Sequence, residues 1–131
     1  MLKVRIFSFS YHYNGIPDDE TGNGGGFVFD CRYILNPAQI DEFKLLTGKD
    51  APVKEFLDTL TEMQAFLEKV FFIIDSAIES YTKREFESLM VCFGCTGGQH
   101  RSVYAAEKLA EHLLQFSPAV NIELIHKNLK L

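Results

Sequence analysis

"GCTGGQHRS", residues 94–102, stands between the apolar run "LMVCF" at 89–93 and the amphipathic run "VYAAEKLAEHLL" at 103–114. A short apolar run, a glycine-rich turn and then helical periodicity read as the end of a strand, a loop and the start of a helix. The first amides of a helix have no intrahelical acceptor and its macrodipole places partial positive charge there, so this junction attracts anions. Beyond the helix, expected over about 98–116, Ser117 and Pro118 break the chain and "AVNIELI" at 119–125 resumes as a strand. A strand, helix, strand unit closes right-handed with its strands parallel, which makes this an α/β domain.

The remaining elements follow from the same signals. Leu2, Val4 and Ile6 alternate with Lys3 and Arg5, predicting a strand near the N-terminus. "YNGIPDDETGNGGG" at 13–26 collects turn formers and is expected as a mobile, solvated loop. "FVFDCRYI" at 27–34 is aromatic and β-branched, a second strand ending in "LNP", after which Pro37 suits the first turn of a short helix capped by Asn36. After "DAP" at 50–52, Val53, Phe56, Leu57 and Leu60 recur at helical spacing, and Met63 to Tyr81 prolong the pattern as one long helix or two in series. "SLMVCF" at 88–93 is the third strand. No repeat or linker divides residues 1–131, so one domain is expected, a sheet with flanking helices.

Composition limits the function. With 131 residues, 47% hydrophobic and 24% charged, the chain is an ordinary globular protein able to bury one core. No apolar run approaches the ~20 residues that span a bilayer. "MLKVRIFSFSY" offers no signal-peptide pattern, so a cytoplasmic location and no membrane partner are expected. Three cysteines fit reduced thiols. A net charge of −5 and a pI near 5.3 argue against a broad nucleic-acid surface.

Cys95, five residues, Arg101 and then Ser102 is the spacing of cysteine-dependent phosphatases, where a thiolate attacks phosphorus while loop amides and an arginine fork hold the oxygens. Gly97 and Gly98 let the backbone curl, and Arg101 on the first helical turn can aim its donor fork at an enclosed anion. Against a nucleophile, Gly94 stands where those enzymes usually carry histidine. No acid is placed for the leaving group either, Asp18, Asp19 and Asp30 being candidates by elimination. The plain structural reading, a helix-entry turn with a half-buried cysteine, competes evenly until His100 beside Arg101 tips the loop towards an anion site.

"GCTGGQHRSVYAAEKLAEHL", "SFSYHYNGIP" and "FVFDCRYILNPAQIDEFKLLTGKDAPVKEFL" together resemble the C-terminal domain of the RapZ RNase adapter and YvcJ-type family, over nearly the whole chain and in the family's order. The resemblance implies a fold like a phosphofructokinase subdomain and a site for an amino-sugar phosphate, glucosamine-6-phosphate. It implies a phosphate-binding loop of Cys95, Thr96, Gly97, Gly98, Gln99, His100, Arg101 and Ser102. The family's "FDxR" segment matches Asp30 and Arg32, with Asp30 placed to meet an ammonium or hydroxyl of the sugar, and Asn36 completes that side.

Departures from the family qualify the carry-over. Full-length relatives have an N-terminal nucleotide-binding domain with a Walker-type loop. No G-x-x-x-x-G-K-[ST] occurs here, so the sequence reads as a stand-alone sensor-like domain without ATP binding by that route. Relatives carry histidine after "NP", where this chain has Ala38; His12 is a candidate substitute. The terminal "HKNLKL" supplies only Lys127 and Lys130, unlike the strongly basic end of the RNA-binding relative.

Other features take plain readings. "CFGC" at 92–95 is a single C-x-x-C pair with Cys92 inside a strand, facing away from Cys95, and more a core cysteine than a zinc or redox site. "FLEKVFFIIDSAI" is apolar over more than half its circumference and suits burial or an oligomer interface. His112 and His126 suggest packing or surface roles. No metal and no cofactor are expected. The resulting expectation is a non-catalytic phospho-ligand sensor or adapter domain, with a protein partner or a second copy of the chain as candidate partners. The alternatives are a phosphatase with Cys95 as nucleophile and Arg101 as clamp, and an RNA-binding module.

Overall fold

The computed structural model describes residues 1–129; Lys130, half of the cation pair expected at the end of the chain, lies outside the described residues together with Leu131. The elements are β1 (Lys3–Ser10), β2 (Phe27–Asp30), α1 (Ala51–Asp58), α2 (Thr61–Lys83), β3 (Ser88–Cys95), α3 (Arg101–Phe116) and β4 (Asn121–His126). Single 3-10 turns at Pro37–Gln39 and Asp41–Phe43 lie between β2 and α1. Asn36 caps the first, accepting from the Ala38 amide at 3.0 Å, with Pro37 in its first turn as expected. All four strands are parallel in the order β2-β3-β1-β4, with Ser10 beside Cys95, Lys3 beside Asn121 and Asp30 beside Gly94.

That order fixes where everything else lies. From β2 to β3 and from β3 to β4 the chain moves the same way across the sheet, so right-handed crossovers put all three helices on one face. From β1 to β2 it moves the opposite way, which carries residues 11–26 over the other face. Packing agrees. Val4 and Ile6 of β1 and Val91 and Phe93 of β3 face Val70 and Ile74 of α2 and Leu109 and Leu113 of α3 in one core. Phe7, Phe9, Met90 and Cys92 form a smaller core on the other face, covered in part by Tyr11 and Ile125. The 13–26 loop is solvated, as expected, yet tied down. Asn23 Nδ2 donates to Ser88 Oγ at 3.0 Å, and Asp19 lies 3.7 Å from the buried Arg5 guanidinium.

The structure corrects one expectation and sharpens others. After Lys3 every residue of β1 is buried, because a central parallel strand has both faces covered. β2 stops at Asp30, and Cys31–Leu35 turns instead of extending the strand. Of the two readings of the long apolar periodicity, two helices in series is the one observed. Leu60 is extended between them, Thr59 Oγ1 donates to the Phe56 carbonyl at 2.6 Å and Gln64 Nε2 to the Leu57 carbonyl at 3.1 Å, so side chains satisfy the end of α1. The unit β3-α3-β4 is parallel, but β4 pairs with β1, which lies between them. Among the described residues no helix is long and apolar enough to cross a membrane.

Leu109 is fully buried where α3 meets the sheet. Leu109→Ala removes contacts that the surrounding strands cannot close, and should lower the unfolding free energy by about 3 kcal/mol in urea titration with an unchanged slope. A loss under about 1 kcal/mol would mean that α3 is not packed as described.

Candidate functional site

β1 and β3 are neighbours whose chains leave the sheet towards opposite faces, and in a parallel sheet such a switch opens a crevice at the carboxyl ends of the strands. The crevice lies between Ser10 and Cys95. Ser10 Oγ donates to the Thr96 carbonyl at 2.5 Å and accepts the His12 and Tyr13 amides at 3.0 and 2.9 Å, joining the two diverging loops at their roots. Gly98 sits at φ +66°, where a Cβ would come within 2.9 Å of the Ser10 nitrogen and 3.0 Å of Asn128, so the turn into α3 requires glycine. Gly97 differs: a Cβ there would meet nothing within 4 Å, because it faces open space.

Among the described residues, the amides of 96–103 donate to no carbonyl and no side chain; the first amide of this stretch to find one is that of Tyr104, bonded to the His100 carbonyl at 2.9 Å. Five of these residues, Thr96, Gly97, Gln99, His100 and Arg101, line a pocket of about 170 Å³ together with Cys95, Asn36, Ala38 and Lys44. Among the described residues no carboxylate lines it, and Lys44 and Arg101 do. Arg101 is 3% exposed. Its Nη1 donates to the carbonyls of Arg32 at 2.9 Å and Ile34 at 2.8 Å, with a longer contact to Cys31 at 3.5 Å, so one arm of the fork fastens the turn after β2. Its Nε is buried with no partner among the described residues, leaving donor capacity unspent beside the pocket.

A larger hollow of about 370 Å³ lies at the amino ends of the strands, bordered by Asn23, Tyr81, Phe86 and Ser88 together with Glu85 and Glu87. Two carboxylates and no cation make it the wrong place for an anion.

The loop's other side chains are engaged with the segment between β2 and α1. Gln99 Nε2 donates to the carbonyls of Lys44 and Leu46 at 2.9 and 2.6 Å, and His100 Nε2 lies 2.8 Å from the Phe43 carbonyl. Their polar ends therefore hold the pocket's far wall. Cys95 is 2% exposed and its thiol donates to Ser102 Oγ at 3.1 Å. Burial, with Cys95 alongside, pushes the Cys31 thiol well up, and burial raises Cys92 to about 12. Cys92 lies in the core of the opposite face, so the C-x-x-C pair does not converge. Among the described residues no group of His, Cys, Asp or Glu could hold a metal.

The sugar-side residues are only partly brought together. Asn36 lines the pocket; Asp30, Arg32 and His12 do not. Asp30 accepts from Arg32 Nε at 3.0 Å and Nη2 at 2.7 Å, and these hydrogen bonds hold its carboxyl below the usual range. Arg32 in turn lies over the Tyr11 ring, 3.8 Å from its centre. His12 is exposed, edge-on to Tyr13. Asp19 sits on the sheet's other face beside Arg5, so it cannot serve the pocket as an acid. Lys44 was invisible in the sequence because only the fold lays its 3-10 turn against a loop more than fifty residues away. The available signal was the pair of polar residues, Gln99 and His100, in a loop that needs no such side chains to curl.

The family model described as the RapZ C-terminal domain matches residues 2–130. A "Nucleotide-binding protein" of Fervidobacterium nodosum is 40% identical over 128 residues, 98% of this chain and 43% of that protein. One of Acidothermus cellulolyticus is 34% identical over 131 residues, 98% of this chain and 40% of that protein. One of Haemophilus influenzae is 37% identical over 129 residues, 98% of this chain and 42% of that protein. The chain thus spans about two fifths of the length of the curated relatives it matches.

The division of labour within Arg101 sets the sign of a simple experiment. A buried arginine used only as an anion clamp would strain the ligand-free fold, whereas one that satisfies loop carbonyls supports it. Arg101→Met should destabilise the protein in phosphate-free buffer by about 2 kcal/mol in chemical denaturation. Unchanged or increased stability would show that the carbonyl contacts contribute nothing.

Proposed function

The chain belongs to the RapZ C-terminal domain family, and from that membership and the free amides at the start of α3 we propose that it is a non-catalytic domain that binds a small phosphorylated ligand. An amino-sugar phosphate of the glucosamine-6-phosphate type is the ligand proposed, and a sensing or adapter role follows from it. The observation that carries the reading is the run of amides from 96 to 103 that find no acceptor among the described residues, beside a buried arginine whose Nε has no partner among them. A phosphoryl group supplies the acceptors that these donors lack, and its charge strengthens each bond.

The sugar end is read less directly. Asn36 lies at the pocket wall, and Ala38, where relatives carry histidine, offers only a methyl group. For Asp30 to receive the sugar ammonium it must exchange its bonds to Arg32 for the ligand. That ion pair is about half exposed, so the exchange is inexpensive.

Two observations weigh against the phosphatase. The Cys95 thiol is spent as a donor to Ser102, and no carboxylate lines the pocket to protonate a leaving group. Wild-type protein should therefore release no phosphate from an activated aryl phosphate, and Cys95→Ser should keep phosphate-ester binding. Turnover that vanishes in Cys95→Ser would establish the nucleophile instead.

Binding itself is tested by thermal shift with inorganic phosphate, glucose-6-phosphate and glucosamine-6-phosphate. At a hundredfold excess over Kd a ligand adds about 2.7 kcal/mol to stability. The amino sugar should give the largest shift and inorganic phosphate the smallest. Gly97→Leu provides the control, since Gly97 lines the pocket and a Cβ there meets nothing within 4 Å: it should leave the ligand-free Tm nearly unchanged and abolish all three shifts. Equal shifts from the three compounds would reduce the site to a general anion cradle, and no shift from any would refute it.

A further inference from the structure

We propose that Lys44 is a second cationic arm of this anion site, and that it engages the bound phosphoryl group by giving up its present partner, Asp41. The inference rests on the phosphoryl-binding reading above and names a residue that reading does not include. Three observations carry it. Lys44 lines the pocket together with residues 95–97 and 99–101, and among the described residues no carboxylate lines it. Its backbone is held there by the anion loop itself, since Gln99 Nε2 donates to the Lys44 and Leu46 carbonyls and His100 Nε2 lies 2.8 Å from the Phe43 carbonyl. Its side chain is uncommitted in energetic terms, because its only ion pair among the described residues, to Asp41 Oδ1 at 2.8 Å, joins groups that are 58% and 90% exposed.

Energetics favour the exchange. An exposed pair of this kind contributes at most about 1 kcal/mol, screened further by salt, and its side-chain torsions are free to turn. A phosphoryl dianion on the amides at the start of α3, with Arg101 beside it, offers Lys44 a partner of higher charge. Gln99 and His100 thus act as positioning residues. They spend their polar ends on the 43–46 backbone so that the fold, and not the ligand, bears the entropic cost of bringing Lys44 to the pocket. Asp41, three residues away, is the competitor that leaves the arm outside until an anion arrives.

The test is calorimetric titration of the full chain with glucosamine-6-phosphate and, separately, inorganic phosphate, at low and moderate salt. Lys44→Ala should weaken both on the order of tenfold, one close ion pair's worth, without moving the ligand-free Tm. Lys44→Arg should recover most of the loss, and Asp41→Asn, by removing the competitor, should tighten both ligands severalfold over wild type. Binding to wild type with Lys44→Ala unchanged would overturn this inference while leaving the anion site intact, and so would weaker binding by Asp41→Asn. Absence of binding by wild type would overturn the site and this arm with it.

Discussion

Two adjacent strands that send their chains to opposite faces of one sheet are the constraint on which the rest depends. Because β1 exits towards the helix-free face and β3 towards the helical face, the carboxyl ends of the two strands cannot close over each other. Ser10 marks the point of parting, its hydroxyl bonded to the Thr96 carbonyl on one side and to two amides of the departing β1 chain on the other. Everything chemical in the molecule is stacked above that point. Gly98 makes the tight turn against it, α3 begins there, and the amides freed by the turn have no acceptor among the described residues.

The walls of the pocket are held by the loop they enclose. One arm of Arg101 takes the carbonyls after β2, and Gln99 and His100 take those of residues 43–46. Side chains that the motif alone assigns wholly to a ligand therefore serve the scaffold first, and in the proposed function it is the backbone amides that meet the anion. Among the described residues the pocket is lined by fixed donors and by no carboxylate.

Much of this was legible from residues alone. The strand, glycine turn, helix order around 94–102 is the one the structure shows, and the Asn36 cap and Pro37 located a turn that lines the same pocket. What was not legible has tertiary reasons. Alternation in β1 marked a strand but not its burial on both faces, and nothing local in "KVRIF" reports that. The periodicity running from Val53 to Tyr81 left one helix or two open because no Gly or Pro marks the break at Leu60; the side chains of Thr59 and Gln64 make the stop. Asp30 and Arg32, which the family resemblance offered for the sugar, satisfy each other, a preference that spacing two residues apart does not announce. Lys44 needs the complete fold to be seen at all.

The central claim is that the amides of residues 96–103 receive a phosphoryl group. Amide nitrogen–proton correlation spectra recorded while inorganic phosphate is titrated into the labelled protein read those groups one by one. The account predicts saturable downfield proton shifts concentrated on Gly97 to Val103, with the strand amides of β1 and β4 unmoved. Shifts that scatter over surface lysines without saturating, or a loop whose amides do not respond while the protein stays folded, would contradict it.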